Sequence, residues 1–427
     1  MSTPVPKTLH AWLLTDPLAP VHLGEIKAVA VGGSVSFQYS TQWIGSGFAL
    51  SDDLPLQGVL YVPPARDDRS SCAPGAIDDA RPDNWGEKVI RYLHKPVGNR
   101  LLANLFLSGD DRFGAIGISS SADSYQPFSK SALPRLQDAK ELSDVAKIIM
   151  QGDGELNEQR RKLTPSIASL GGAKPKAVIQ IGDDQWVLKF FNAEPVDLPL
   201  VEHASMTLAA KAGINVATTQ VVPLKLIENA LAIKRFDREG GRRLHCISAG
   251  TALRASAPSG SQPVFGYAAL AQLLRANASV KTVDDQLLDL FKRMVFNILI
   301  GNTDDHEKNH SLIVRTHGKT VDIELSPAYD ILPTNSGDTD HQFLISYDSA
   351  EPTLANALSI CSEFDLEPKK AAKEIASLIQ VVGNWQMHFK DAGVTDSDIE
   401  ELRGWIDTEF LLNERKSFSK SNPRPTI

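Results

Sequence analysis

The stretch GNTDDHEKNHSLI at residues 301–313, followed by LSPAYDIL at 325–332, decides how this chain reads. Phosphoryl transfer asks little covalent chemistry of a protein. It needs a carboxylate to orient and deprotonate the attacking hydroxyl, and oxygen ligands for the magnesium ions that bridge the nucleotide phosphates. Asp304 and Asn309 have the D-x-x-x-x-N spacing of a protein-kinase catalytic loop. Between the two segments, residues 310–325 read as a β-hairpin: HSLIVR, a turn at THGK, then TVDIEL. A hairpin brings its ends together, so Asp330 can reach the same metal as Asn309. On this reading Asp304 is the base, and Asn309 and Asp330 are the magnesium ligands. Taken alone, TDDHEKN is also an ordinary polar turn after a helix, and the spacing decides little.

Working back along the chain, SIASLGGAKPKAVIQIGDDQWVLKFF at 166–191 is the second informative stretch. A glycine pair lets backbone N–H groups approach an anion closely. It precedes two strands joined by a tight turn at Asp183-Asp184. Lys189 on the second strand shares the parity of Val187 and Phe191. A lysine on such a face suits a phosphate, with Glu202 on the following helix as its acidic partner. The competing reading is a surface lysine on an edge strand. No Walker loop, G-x-G-x-x-G, G-x-S-x-G or H-E-x-x-H occurs.

The surroundings narrow the class. The 427 residues suffice for two or three domains. The net charge of -8 argues against a protein that grips nucleic acid by itself. Cys72, Cys246 and Cys361 form no CxxC pair, which argues against a zinc site or a disulfide framework and fits a reducing compartment. The first twenty residues lack the apolar core and cleavage site of a signal peptide, and no run reaches the roughly 18 apolar residues of a membrane helix, so the expected location is cytoplasmic.

Residues 8 to about 60 read as strands, including Ala28-Val29-Ala30-Val31 and Val35-Ser36-Phe37-Gln38-Tyr39 with glycine turns between. A Pro/Asp/Ser-rich loop follows at 63–75, then a helix at 84–94 capped by Asp83, and a strand at 112–118. Helices are expected at 138–152 and 199–213, and strands at 219–224 and 230–236. From 264 onward the pattern is mostly helical: 264–276, 283–301, 366–382 and 395–413. The last twelve residues read as a frayed tail, with Arg415, Lys416, Lys420 and Arg424 solvated. Trp43, Trp85, Trp385 and Trp405 read as core anchors, and His306 and His310 as hydrogen-bonding loop residues.

In order and content these segments resemble the HipA family, the toxin kinases of bacterial type II toxin–antitoxin modules. HAWLLTDPLAPVHLGEI, VSFQYSTQWI, DNWGEKVIR and RFGAIGI are similar to its N-terminal β-rich module. SLGGAKPKAVI resembles its flexible Gly-rich loop, VLKFF its ATP-lysine strand, VEHASMTLAAKAGINV the helix bearing the acidic partner, and ALAIKRFDRE the strand leading to the hinge. NTDDHEKNHSL and LSPAYDIL are similar to its catalytic and metal motifs.

The resemblance implies an α+β, kinase-like two-lobe fold. The N-terminal β-rich module would occupy 1–125, the N-lobe 126–240, and a mostly α-helical C-lobe 241–427. It implies an ATP- and magnesium-dependent serine/threonine protein kinase, whose substrate in the best-known member is an aminoacyl-tRNA synthetase. Asp304 would be the general base, and Asn309 and Asp330 the metal ligands. Ser169, Gly171, Gly172, Ala173, Lys189, Glu202, Lys234, Phe236 and His306 would serve ATP binding. Ser169 falls where the family has an autophosphorylated serine whose phosphorylation is thought to expel the loop.

The implied partner is a HipB-like helix-turn-helix antitoxin, with DNA reached only through it and no membrane. Lys234 and Pro175 stand where some relatives are acidic, and LHCISAGTALRA at 244–255 departs from the synthetase-targeting member. Two other readings use the same residues: a small-molecule kinase on the same lobes, and a scaffold that binds antitoxin and DNA without turnover.

Overall fold

The computed structural model describes residues 3–421 apart from 30–32, 64–71, 153, 192–193, 226–227, 258–260, 318–319 and 335–339. The Ala30-Val31 part of the first expected strand run, most of the 63–75 loop, half of the THGK turn and Arg424 lie outside these residues. The chain forms two compact units: Met1–Phe191 with Val222–Ile247 and Ile313–Val321, and Asn192–Val221 with Ser248–Leu312 and Asp322–Ile427.

The first unit carries two four-stranded sheets. Strands β1 (Thr8–Leu13), β2 (Val21–Ala28), β3 (Val35–Tyr39) and β4 (Ile116–Ser119) lie in the order β3-β2-β1-β4. The central β1 is buried from Leu9 to Leu13, which is why TLHAWL reads as a nearly continuous apolar run rather than an alternating one. The expected strand at 112–118 shortens to Ile116–Ser119. Arg112 is instead a fully buried anchor donating to the carbonyls of Ala80 and Leu105, and Gly114 has φ +72.

The helix Asn84–His94 buries Trp85, Val89 and Ile90, and ends at Lys95 in the left-handed region just before Pro96. Strands β5 (Lys176–Ile181), β6 (Asp184–Lys189), β7 (Thr219–Lys225) and β8 (Glu228–Lys234) follow in the order β5-β6-β8-β7. Ile181 pairs with Asp184, so the turn is Gly182-Asp183 rather than Asp183-Asp184. Gly182, at φ +60, supplies the positive φ that such a two-residue turn needs. Short strands β9 (Arg238–Glu239) and β10 (Arg242–Arg243) make a ribbon. Strands β11 (His245–Ser248), β12 (Ser311–His317) and β13 (Thr320–Leu325) form a three-stranded sheet containing the expected hairpin.

The second unit is built around the helix Val283–Ile300, buried on all sides from Arg293 to Ile300 and stopped by Gly301 at φ +71. The expected helix at 264–276 begins at Tyr267, because Gly266 is extended and bridges to Leu344. The expected helix at 395–413 is two helices, Asp396–Ile406 and Glu409–Ser421. The break has a use: Asp407 accepts from Trp385 Nε1 and Gln386 Nε2, both at 3.0 Å, and from Arg415 Nη1 at 2.7 Å. This corrects the reading of the tail. The chain is helical to Ser421, and Arg415 is buried, also donating to the carbonyls of Leu299 and Ile406. Trp43, Trp85, Trp385 and Trp405 are all buried. Among the described residues no helix is long and apolar enough to cross a membrane.

Candidate active site

In the second unit, the end of the long helix leads directly into the 301–310 loop. The Thr303 amide donates to Thr334 Oγ1 at 3.0 Å, and that hydroxyl donates to the Gly301 carbonyl at 2.9 Å, closing the loop's mouth. Within the loop, the Asn309 amide donates to the His306 carbonyl at 2.9 Å, and Asn309 Nδ2 lies 3.4 Å from the Asp304 carbonyl. His306 Nδ1 accepts the Lys308 amide at 3.1 Å. The turn therefore carries Asp304 at its open face and Asn309 at its buried base. Gln342 Nε2 donates to Asp304 Oδ1 at 2.8 Å.

Desolvation on its inner side raises the Asp304 pKa above the ordinary value. Asp330 adds to the rise, while His306 and Gln342 oppose it. The structure thus brings Asp304, Asn309, His306 and Asp330 together. Asp330 is aimed by its backbone. Arg293 Nη2 donates to the Ser326 carbonyl at 2.7 Å, and Ala328 bonds Asn215 and Ala217 through its amide and carbonyl. The Tyr329 hydroxyl donates to the Lys308 carbonyl at 2.7 Å. Asp330 itself sits at φ +61, a conformation that costs a non-glycine residue on the order of 1 kcal/mol and clusters at functional sites.

Beneath this turn lies a support that the sequence reading missed. Asp305 is buried, accepting from the Tyr267 hydroxyl and from His310 Nε2 at 3.2 Å. Asn297 Nδ2 donates to the same Tyr267 oxygen at 3.0 Å, and Asn302 Nδ2 donates to Asn297 Oδ1 at 3.2 Å. Burial pushes the Asp305 pKa up, but His310 and Tyr267 more than reverse this, so it stays ionised. Its partners lie 38 residues upstream and 5 downstream. No spacing rule selects Tyr267 or Gln342.

In the first unit, Ser169 is buried at 2% exposure, and its hydroxyl has no hydrogen-bond partner among the described residues. The glycine pair is fitted against Asp83. A Cβ on Gly171 would lie 2.1 Å from Asp83 Oδ1, and Gly172, at φ +93, donates its amide to that same oxygen. Ala173 is exposed. Lys189 is buried, and its register partner across β5 and β6 is Lys176. Lys174 lies over the Phe191 ring at 5.4 Å. Lys234 pairs with Asp184 at 2.6 Å, and the half-exposed Phe236 meets Phe113 edge-on.

The KRFDRE segment around them is a buried ion network. Arg235 and Arg238 hold Asp237 at 2.8 and 3.0 Å, the Gly114 amide donates to it at 2.8 Å, and Arg235 also donates to the carbonyls of Asp111 and Arg112. Glu202, in the second unit, is fully buried on the helix Leu198–Lys211.

Hard oxygen donors suit magnesium, which keeps most of its shell as water and substrate phosphate and needs only one or two protein ligands. Asp330 and Asn309 carry oxygen donors of that kind, and Asp330 lies close enough to Asp304 for the two carboxylates to repel. Among the described residues no group of three or more His, Cys, Asp or Glu could hold a metal ion.

A β-rich module, a strand-built lobe with a Gly-rich loop and a buried lysine, and a helical unit presenting a D-x-x-x-x-N turn define a kinase-like α+β protein. Residues 168–385 match the HipA-like C-terminal domain and residues 18–119 the HipA N-terminal domain. The chain therefore belongs to the HipA family of kinase toxins.

It is 31% identical over 160 residues to a putative kinase, Y4dM, of Sinorhizobium fredii, covering 35% of this chain and 37% of that protein. The chain thus spans little more than a third of the length of that relative. It is 24% identical over 380 residues to the serine/threonine-protein kinase toxin HipA of Shewanella oneidensis, covering 82% and 78% of the two chains. A solved structure of Shewanella oneidensis HipA with HipB and operator DNA superposes at a TM-score of 0.66 and 18% identity, over 98% of this chain and 100% of that one, a likeness of fold.

Proposed function

We propose that this chain is an ATP- and magnesium-dependent serine/threonine protein kinase that acts as a toxin. The observation that carries the reading is the grouping of Asp304, Asn309 and Asp330 in one loop system of the second unit. Bound magnesium would neutralise charge on the nucleotide phosphates. Asn309 and Asp330 would hold it, and Asp304 would orient the attacking hydroxyl and accept its proton. Lys189, with Ser169, Gly171, Gly172, Ala173, Glu202, Lys234, Phe236 and His306, would serve the nucleotide.

The acceptor would be a cytosolic protein, an aminoacyl-tRNA synthetase being the candidate the family suggests, and Ser169 an autophosphorylation site. A dianion on Ser169 would repel the phosphates of ATP. Its burial means the loop must leave its observed place before the hydroxyl can react. A HipB-like helix-turn-helix antitoxin is the proposed partner, supported by the HipA–HipB–DNA complex of the structural neighbour. DNA would be met through that partner, consistent with a net charge of -8. Cys72, Cys246 and Cys361 are buried and in no disulfide, which supports a cytoplasmic setting. The division at residues 125 and 240 into module, N-lobe and C-lobe is part of the same proposal.

The test is incubation with magnesium and γ-labelled ATP, beside Asp304→Asn, read by mass spectrometry. Label on Ser169 or an added protein is expected. Asp304→Asn should lower turnover by roughly 10²–10⁴-fold while ATP binding persists. Transfer only to a sugar or antibiotic would replace the protein substrate with a small molecule. ATP binding without any transfer would leave a scaffold.

A further inference from the structure

Asp83 breaks a local rule. It is the N-cap of the helix Asn84–His94, yet its side chain makes no capping hydrogen bond. An N-cap aspartate ordinarily accepts an amide of the first turn. Here the carboxylate accepts the amide of Gly172 in the Gly-rich loop. The exchange is reciprocal, since the Trp85 amide donates to the Gly172 carbonyl at 3.1 Å. Two more bonds close the cycle: Trp85 Nε1 to the Lys176 carbonyl at 2.9 Å, and Lys176 Nζ to the Gly171 carbonyl at 2.6 Å.

Three further features show how closely these segments are fitted. Asn84, between the two clamping residues, is held at φ +33. A Cβ on Gly171 would strike Asp83, and one on Gly86 would lie 2.7 Å from the Leu170 carbonyl and 2.8 Å from that of Ala168. Strain and lost capping on one side, and glycines on both, are rule violations that make sense together if the contact is what is being built.

We infer that the DNWG segment, residues 83–86, is a clamp that sets the position of the Gly-rich loop, with Asp83 and Trp85 as positioning residues for the nucleotide. This rests on the reading of that loop as the nucleotide loop. The clamp also keeps Ser169 buried, so one contact governs both the loop's place and the serine's exposure. It ties the N-terminal module to the loop within the first unit.

The test separates the clamp from the nucleotide reading. Amide hydrogen exchange over 169–176 is followed without nucleotide in the wild type, Asp83→Ala, Asp83→Asn and Trp85→Phe, and KM for ATP and kcat are then measured. Loss of this charge-assisted bond speeds exchange there by roughly tenfold or more in Asp83→Ala. The KM for ATP should rise by about the same factor while kcat changes less. Asp83→Asn, which keeps an accepting oxygen, should recover most of the protection, and Trp85→Phe, which keeps the ring but not its N–H, should fall between. Unchanged exchange in Asp83→Ala would overturn the clamp, as would faster exchange with an unaltered KM. A wild-type loop that ATP does not protect would count against the nucleotide reading and leave the exchange result standing.

Discussion

Lys176 and Lys189 stand directly opposite each other on antiparallel β5 and β6, so both side chains leave the sheet on the same face. Like charges at opposed positions destabilise a sheet, and Lys189 is only 6% exposed. In the proposed nucleotide site a triphosphate would supply a counter-charge to both. Lys189→Ala is expected to weaken ATP binding by about 10–100-fold, the loss of one charge-assisted contact. It should also abolish most of the thermal stabilisation ATP confers, leaving the melting point without ATP little lowered. Thermal shift with and without ATP checks this; an undiminished ATP-induced shift would remove Lys189 from the site.

The Asp305 carboxylate holds the turn that carries Asp304 through Tyr267 and His310. Asp305→Asn should cost about 1–3 kcal/mol of stability, since buried donors lose a charged acceptor. It should also lower kcat about tenfold with little change in the KM for ATP, because the turn that carries Asp304 is displaced. Equal kinetics in a destabilised variant would make Asp305 purely structural.

Asp237 lies between two buried guanidiniums. Burial alone would raise its pKa, but Arg235 and then Arg238 hold it well below the usual carboxylate range. A depressed carboxylate contributes stability above its unfolded pKa, and that contribution is lost as pH falls through and below the ordinary value near 3.8. Asp237→Ala leaves both arginines buried without their carboxylate and should cost about 3–5 kcal/mol at neutral pH. Denaturant melts at pH 7 and near pH 2 would show the difference shrinking at the lower pH.

His341 gives the opposite type of group with the same direction of pH dependence. It is buried, neither ring nitrogen has a hydrogen-bond partner among the described residues, and burial lowers its pKa to about 4 against the pull of Asp305 and Asp340. The unfolded chain takes up a proton near pH 6.5 while the folded chain does not, so stability rises with pH across the window from about 4 to 6.5. The span corresponds to on the order of 3 kcal/mol. His341→Phe should flatten the stability profile in that window. A wild-type profile with no slope there would refute the assignment.

The helices and strands were legible where periodicity and caps agreed. The hairpin around 317, the strand pair ending at Lys189 and the helix over 283–300 appear within a residue or two of their expected bounds. Misplaced features share a cause, a side chain or backbone group bonded to something distant. The 395–413 helix breaks at Asp407 because Trp385, Gln386 and Arg415 converge there. The tail is helical because Arg415 reaches two carbonyls in the core. The 112–118 strand loses its first half to a buried arginine. The proposed site residues Asp304, Asn309 and Asp330 were named from spacing, whereas the contacts of Tyr267, Gln342 and Asp83 could not be.

By itself the sequence determined the element type where periodicity was clear, as over Lys176–Lys189 and Val283–Ile300, though the helix Thr41–Ser46 falls in a stretch read as strands; it also set the order of the motifs and named the carboxylates and lysine proposed for a phosphoryl-transfer site. These follow from local periodicity and short-range spacing, which depend on a residue's near neighbours along the chain. Only the tertiary structure decided that the SLGGAK glycines admit Asp83, that Ser169 is buried, that KRFDRE is a salt-bridged core, and that Asp305 carries the catalytic turn. Each is a contact between residues far apart in sequence, and such contacts arise only when packing brings those segments together.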